Sequence, residues 1–460
     1  MTTTLNCISP IDGSVFATRE TLSAEAARAA IAETRAAQAA WAARPLQERI
    51  DLVMAGVAAV GEMNDEIVPE LARMMGRPVR YGGEFGGFKE RASHMAEIAE
   101  QGLADIEVSD DGAFHRYIRR VPHGVVFVVA PWNYPYMTAI NTVAPALIAG
   151  NAVVLKHATQ TLLVGERMAR AFHAAGVPEA VFRNVFLDHG TTSELIADRQ
   201  FDFVNFTGSV AGGQAMERAA AGTFAGLGLE LGGKDPGYVM DDADPEVAAE
   251  GLIDAAMFNS GQCCCGIERI YVHESLFDAF LAKAVEIVNG YRLGDPLDPE
   301  TTIGPMANTR FATEVRAQIN EAVAEGAVAH IATMPQDDGG CYLTPQILTN
   351  VTHDMRVMRD ESFGPVVGIM PVKDDAEAIA LMNDSPFGLT ASLWTCDAAR
   401  AAKVGDAIET GTVFMNRADY LDPALCWTGC KSTGRGGALS VIGYHNLTRP
   451  KSYHLKKATT

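Results

Sequence analysis

The sequence is short of positive charge: 37 lysines and arginines face 57 aspartates and glutamates, for a formal net charge of −20. Holding nucleic acid by its phosphates needs a basic face that displaces counterions, so no nucleic-acid partner is expected. Long apolar runs are missing too. None approaches the roughly 20 residues that span a bilayer, and the opening MTTTLNCISPIDGS lacks the basic start and apolar stretch of a secretory leader. The expectation is a cytoplasmic protein with no membrane partner. Eight cysteines in 460 residues are too few for a disulfide scaffold, so the thiols are read as reduced.

Several catalytic signatures are absent as well. No GxGxxG follows a strand, no GxSxG occurs, and no two histidines stand at i, i+4, which leaves serine-hydrolase and zinc-protease readings without support. GLELGGK at 228–234 has the glycine and lysine spacing of a phosphate loop, but Asp235 stands where a magnesium-binding Ser or Thr belongs. A nucleotide triphosphatase is therefore rejected.

What is present is a chain long enough for two or three domains, 48% hydrophobic and so able to bury a large core. From Thr21 to about Arg80 it is alanine-rich with helical spacing, and Ser23 followed by Glu25 marks a helix start. Between Val121 and Ser209 short apolar runs (VVFVVA, NAVVLK, FRNVFL, FDFVNF) alternate with helix-length segments, which predicts a parallel sheet covered by helices. A second alternating stretch follows Glu230 with RIYV, GPVVGIMPV, SLWT and GTVFMN. HRYIRRV and RPKSYHLKK fit neither core and read either as protruding strands that make subunit contacts or as a solvated edge strand and a ragged tail.

A parallel sheet places its ligand at the carboxyl ends of its strands. The turn FTGSVAGG, directly after FDFVNF, offers glycines and free helix amides to a phosphate. Cys263, Cys264 and Cys265 have three readings: buried apolar side chains, metal ligands, or one nucleophile with two neighbours. In an extended segment adjacent side chains point to opposite sides, so contiguous thiols are not expected to hold one ion, and no metal is predicted. A nucleophile needs an oxyanion donor and a general base. Asn133, after the first strand, has an amide to donate. Glu230, between two leucines, has an apolar surround that raises its pKa toward neutrality.

These residues carry a resemblance to the NAD(P)-dependent aldehyde dehydrogenase superfamily. PWNYP, GNAVVLK, FTGS, LELGGK, GQCCCG, GDPLDPETTIGP, ESFGPV and GCKSTGRG run in the family's order over nearly the whole chain, and Glu230 precedes Cys264 by the family's 34 residues. The resemblance implies an α/β fold with a Rossmann-type cofactor domain (1–105 and 123–232), an α/β catalytic domain (233–432) and a small β oligomerisation extension (106–122 and 433–460). It also implies assembly as a homodimer or homotetramer. Cys264, two places after Gln262, matches the nucleophile that attacks an aldehyde substrate. Asn133 matches the oxyanion donor, and Glu230 the base that activates water against the thioester. Members that release acyl-CoA usually lack this glutamate, so its presence favours the acid as product.

For NAD, the resemblance implies binding by Trp132, Lys156, Thr159, Gly208, Ser209, Gly232, Glu361 and Phe363. Strict NAD users commonly have a glutamate where Thr159 stands. A neutral threonine removes its repulsion of a 2′-phosphate, so NADP is admitted as well. His157 replaces a common proline, Thr142 a common lysine, and Trp427-Thr428-Gly429 the usual Pro-Phe-Gly. Arg417 and Tyr420 follow GTVFMN, where the family builds the mouth of its substrate channel. Two readings stand for Arg417: it meets an anionic tail on the aldehyde, or, as the residues favour, it braces its loop by pairing with Asp419 or Asp422.

Overall fold

A computed structural model describes residues 2–336, 339–418 and 420–457. Strand Val125–Ala130 is buried on both faces, as a run of β-branched residues in a helix-covered sheet must be. Its alternate side chains enter different cores. Val126, Val128 and Ala130 join one cluster with helix Pro135–Ile148, while Val125, Phe127 and Val129 join another with Ile31 and Leu195.

This strand sits inside a six-stranded sheet ordered Gly434–Arg435, Gly226–Glu230, Phe203–Thr207, Val125–Ala130, Ala152–His157, Phe182–Asn184. All neighbours are parallel except the first pair. From Val125–Ala130 the chain steps through two strands on one side, then returns on the other as Phe203–Thr207. The order therefore reverses beside Val125–Ala130, and a crevice opens there at the carboxyl ends. FRNVFL contributes only Phe182–Asn184 to the ladder, shorter than its apolar run predicts.

After Glu230 the chain turns directly into a second sheet. Its order is Val328–Ala329, Gln346–Thr349, Val366–Val372, Ile267–His273, Asp235–Val239, Thr390–Trp394, Thr412–Met415, parallel but for the first pair. A third sheet is antiparallel: Thr448–Lys456 pairs with Phe114–Pro122, which pairs with Ile106–Asp110. Gly434 and Arg435, grouped with the oligomerisation extension from sequence, instead pair with Glu230 and Leu229 on the edge of the first sheet. The ribbon begins at Thr448.

The helical entry region forms as its pattern dictates. Ser23 caps helix Ala24–Ala42 by accepting from the Ala26 amide, with Glu25 in the positive first turn. Among the described residues no helix is long and apolar enough to cross a membrane.

Candidate active site

Four segments converge at the crevice. Asn133 lies in the turn between strand Val125–Ala130 and helix Pro135–Ile148, and Glu230 ends strand Gly226–Glu230. Cys264 lies on the loop before strand Ile267–His273. Helix Phe85–Glu97 closes the far wall. Together they enclose a cavity of about 340 Å³ whose lining includes Arg91, Asn133, Glu230, Cys264, Tyr420 and Trp427.

The cysteine loop has an unusual backbone. Asn259, Ser260 and Gly261 all have left-handed φ, at 54°, 58° and 69°, a conformation that costs non-glycine residues free energy and needs support. Only glycine fits at 261, because a Cβ there would lie 2.2 Å from the Gly364 carbonyl oxygen. The supports are buried. Ser260 Oγ donates to the Gly304 carbonyl at 2.8 Å, Gln262 Nε2 donates to the Asn259 carbonyl at 3.0 Å, and the Ala307 amide donates to Gln262 Oε1 at 2.7 Å.

A buried ion pair ties this loop to Asn133. Arg77 donates to Glu84 Oε1 at 2.7 Å, to the Asn133 carbonyl at 2.6 Å and to Asn259 Oδ1 at 3.3 Å. The other Glu84 oxygen accepts from the Met137 amide at 2.7 Å, in the first turn of helix Pro135–Ile148, where backbone donors are free and anions are favoured. Removing one partner from such a buried pair costs about 3–5 kcal/mol. Asn133 Nδ2 points toward the cysteine loop and donates to the Gln262 carbonyl at 3.2 Å. Arg77, Glu84 and Asn259 carry no signal as site residues in the sequence, and Gln262 only marks the cysteine motif.

Burial pushes the Glu230 carboxyl up to about 7 by desolvation, opposed by a hydrogen bond from Thr207 Oγ at 3.1 Å and the field of Arg91. Glu230 also borders a second, much smaller cavity of about 10 Å³ with Asn141, Thr142 and Asn205. That is room for about one water.

Cys264 sits at a tight turn, closed by a hydrogen bond from the Gly266 amide to the Cys263 carbonyl at 3.2 Å. The expectation that contiguous thiols point to opposite sides is corrected: the segment is not extended, and the Sγ atoms of Cys263, Cys264 and Cys265 all lie within 4.8 Å of one another. Cys263 and Cys265 sulfurs are 3.5 Å apart.

Of the two readings of Arg417, the structure favours the one confined to its own loop, with Tyr420 as the contact. Arg417 does not line the cavity; its guanidinium lies 3.6 Å from the Tyr420 ring centroid, a cation–π contact. Asp419 lies outside the described residues. Tyr420 does line the cavity, and its hydroxyl donates to Glu90 at 2.6 Å. The cation in the cavity wall is Arg91, 8% exposed, donating to the Met137 carbonyl at 2.9 Å. It also reaches Asn141 Oδ1 at 3.4 Å. Burial lowers its pKa from the ordinary value. The signal in the sequence was helical phase: Arg91 shares the buried face of its helix with Phe88, Ala92 and Met95.

The expected cofactor residues fall on the carboxyl side of the first sheet or on the loop facing it. Lys156 is buried near the end of strand Ala152–His157, where desolvation lowers its pKa to about 8 against the attraction of Asp188. Its neighbour His157 is pushed down to about 3 by burial, so the ring is neutral. Thr159 begins a 3-10 turn. Gly208 and Ser209 follow strand Phe203–Thr207, with Ser209 capping helix Val210–Ala220.

Glu361 Oε1 accepts from the Gly233 amide at 3.0 Å. A Cβ on Gly232 would stand 2.2 Å from that same oxygen, so a side chain there would push the Glu361 carboxylate aside. Burial pushes Glu361 up to about 8. Trp132 stacks on Phe311 at 5.3 Å and meets Phe363 edge-on at 5.6 Å. Phe363 has φ of 52°. Its amide donates to Glu268 Oε1 at 2.8 Å, and Glu268 pairs with buried Lys234 at 2.5 Å.

The family described as the aldehyde dehydrogenase family matches residues 1–453. A succinate-semialdehyde dehydrogenase [NADP(+)] of Mycolicibacterium paratuberculosis is 36% identical over 361 residues, covering 78% of this chain and 76% of the relative. A 2-hydroxymuconic semialdehyde dehydrogenase of Pseudomonas putida is 34% identical, covering 96% and 94%. Among solved structures, an NADP-dependent glyceraldehyde-3-phosphate dehydrogenase of Bacillus halodurans, complexed with NADP, superimposes with a TM-score of 0.93 at 32% identity. It covers 100% of this chain and 96% of the other.

Proposed function

The chain belongs to the aldehyde dehydrogenase family, and from that premise we propose that it oxidises a small aldehyde bearing an anionic group to the carboxylic acid, with Cys264 as nucleophile and NAD(P)+ as oxidant. The observation that carries this reading is a single cavity lined by Cys264, Asn133, Glu230 and the buried guanidinium of Arg91. The relatives point the same way, since the substrates in their names carry a carboxylate or a phosphate beside the aldehyde.

In this mechanism the Cys264 thiolate adds to the aldehyde carbon, and the developing oxyanion takes hydrogen bonds from Asn133 Nδ2 and the Cys264 backbone amide. Asn133 must exchange its present acceptor, the Gln262 carbonyl, for that oxyanion. Bound NAD(P)+ would supply the hydride acceptor for the conversion of the Cys264 thiohemiacetal to a thioester. Glu230, ionised above its raised pKa of about 7, then takes a proton from the attacking water.

The fit to a dinucleotide rests on the crevice itself. Lys156 offers a desolvated cation, the Phe206-Thr207-Gly208-Ser209 turn offers backbone near a helix start, and Glu361 stands against Gly232 and Gly233. Lys156 would hold the adenosine ribose, Ser209 and Gly208 the pyrophosphate, and Glu361 the nicotinamide ribose, with Trp132, Gly232 and Phe363 shaping that end. Thr159 places no negative charge against a 2′-phosphate, which supports use of NADP. Residues 1–105 and 123–232 would form the cofactor domain and 233–432 the catalytic domain. The ribbon of 106–122 with Thr448–Lys456 would join subunits into a homodimer or homotetramer in the cytoplasm.

The test compares kcat/KM for succinate semialdehyde and butanal. In wild type the anionic substrate is favoured. Arg91→Met abolishes the preference, Arg91→Lys restores part of it, and Arg417→Ala leaves it intact. A preference that survives Arg91→Met in a folded enzyme removes the anionic-substrate reading.

A further inference from the structure

Three sulfurs meet at the cavity wall. The turn through residues 263–266 brings the Sγ atoms of Cys263, Cys264 and Cys265 within 4.8 Å of one another, and all three residues line the cavity. A tetrahedral zinc with sulfur ligands at about 2.3 Å separates those sulfurs by roughly 3.8 Å. The cluster is thus already close to that spacing, with the Cys263 and Cys265 sulfurs at 3.5 Å. The cavity supplies the way in and space for a water as the fourth ligand.

Charge favours the same outcome. Three thiolates around a divalent cation carry a net charge of −1, and the guanidinium of Arg91 lines the same cavity as the three cysteines. Soft thiolates select d10 cations such as zinc and cadmium over magnesium or calcium.

We propose that Cys263, Cys264 and Cys265 form a three-thiolate site for a thiophilic divalent cation of the zinc and cadmium kind, and that its occupancy reversibly silences the enzyme. Binding changes no oxidation state: three S–H bonds break, three sulfur–metal bonds form, and three protons leave to solvent. The loss of activity, though not the binding, rests on the reading of Cys264 as the nucleophile, because its sulfur lone pair becomes a metal bond.

The probe is Cd2+ added to fully reduced, metal-free protein, followed by ultraviolet sulfur-to-cadmium charge-transfer absorption and by dehydrogenase activity. One Cd2+ per subunit gives the band, activity falls in step with it, and EDTA reverses both. Cys263→Ala and Cys265→Ala weaken binding by more than roughly 100-fold, since loss of even an outer supporting group costs about 10–100-fold in metal affinity. Cys263→Ser and Cys265→Ser serve as second variants, with circular dichroism reporting folding. No band in wild type, or a band of equal affinity in folded Ala and Ser variants, overturns the site. A band in a protein that oxidises no aldehyde leaves the site standing and fails the functional reading; aldehyde oxidation without a band does the reverse.

Discussion

The Thr207 hydroxyl donates a hydrogen bond to Glu230 Oε2 across 3.1 Å, and it stabilises the ionised form of a carboxyl that burial holds at about 7. Two opposing effects thus set the working pH of the base. Hydrolysis of the thioester needs the carboxylate, so kcat rises through pH 7 and levels above it when hydrolysis limits turnover. Thr207→Val removes the stabilising donor and moves this limb to higher pH; a pH profile of kcat that stays in place contradicts the assignment.

Glu230→Gln separates the two half-reactions. The variant forms NAD(P)H in a rapid burst of about one equivalent per subunit and then turns over about 10²–10⁴-fold more slowly, the range for loss of a general base. Stopped-flow absorbance of NAD(P)H reads both phases.

The same substitution has a stability signature. The folded carboxyl titrates near 7 and an unfolded glutamate near 4.5, so across that window the folded state holds a proton the unfolded state has released. Stability falls as pH rises through it. Glu230→Gln lacks this penalty, so its Tm exceeds the wild-type value at pH 8 and the two converge at pH 5. Thermal melts at both pH values measure the difference.

Asn133→Ala removes a side-chain donor that the cysteine loop already holds at 3.2 Å. The expected loss is about 10²–10³-fold in kcat, typical of one oxyanion donor. Aldehyde KM changes little, which steady-state kinetics resolves from a binding defect.

Cofactor choice tests Thr159. Thr159→Glu restores a carboxylate where the ribose is expected, and the ratio of kcat/KM for NADP to that for NAD drops by roughly tenfold or more. An unchanged ratio shows that Thr159 is not near the 2′ position.

The parts of the site legible in the sequence share one trait: each ends a strand or sits on a glycine-marked turn. Asn133 follows VVFVVA, Glu230 closes GLGLE, and Ser209 opens a helix after FDFVNF, so local pattern and position in a parallel sheet located them. Arg91 and the pair Arg77–Glu84 lie far earlier in the chain, and only tertiary packing brings them to the cavity. The thiol trio departs from strand alternation because its geometry is set by a four-residue hydrogen-bonded turn, 263–266. Arg417 stacks on Tyr420 within its own loop, and only Tyr420 of the two lines the cavity, a division that their spacing of three residues does not reveal.

The compartment behind Glu230, with its room for one solvent molecule, gives the carboxylate two faces. A water on the face that Cys264 does not border can hydrogen-bond the carboxylate without taking space from the aldehyde in the larger cavity.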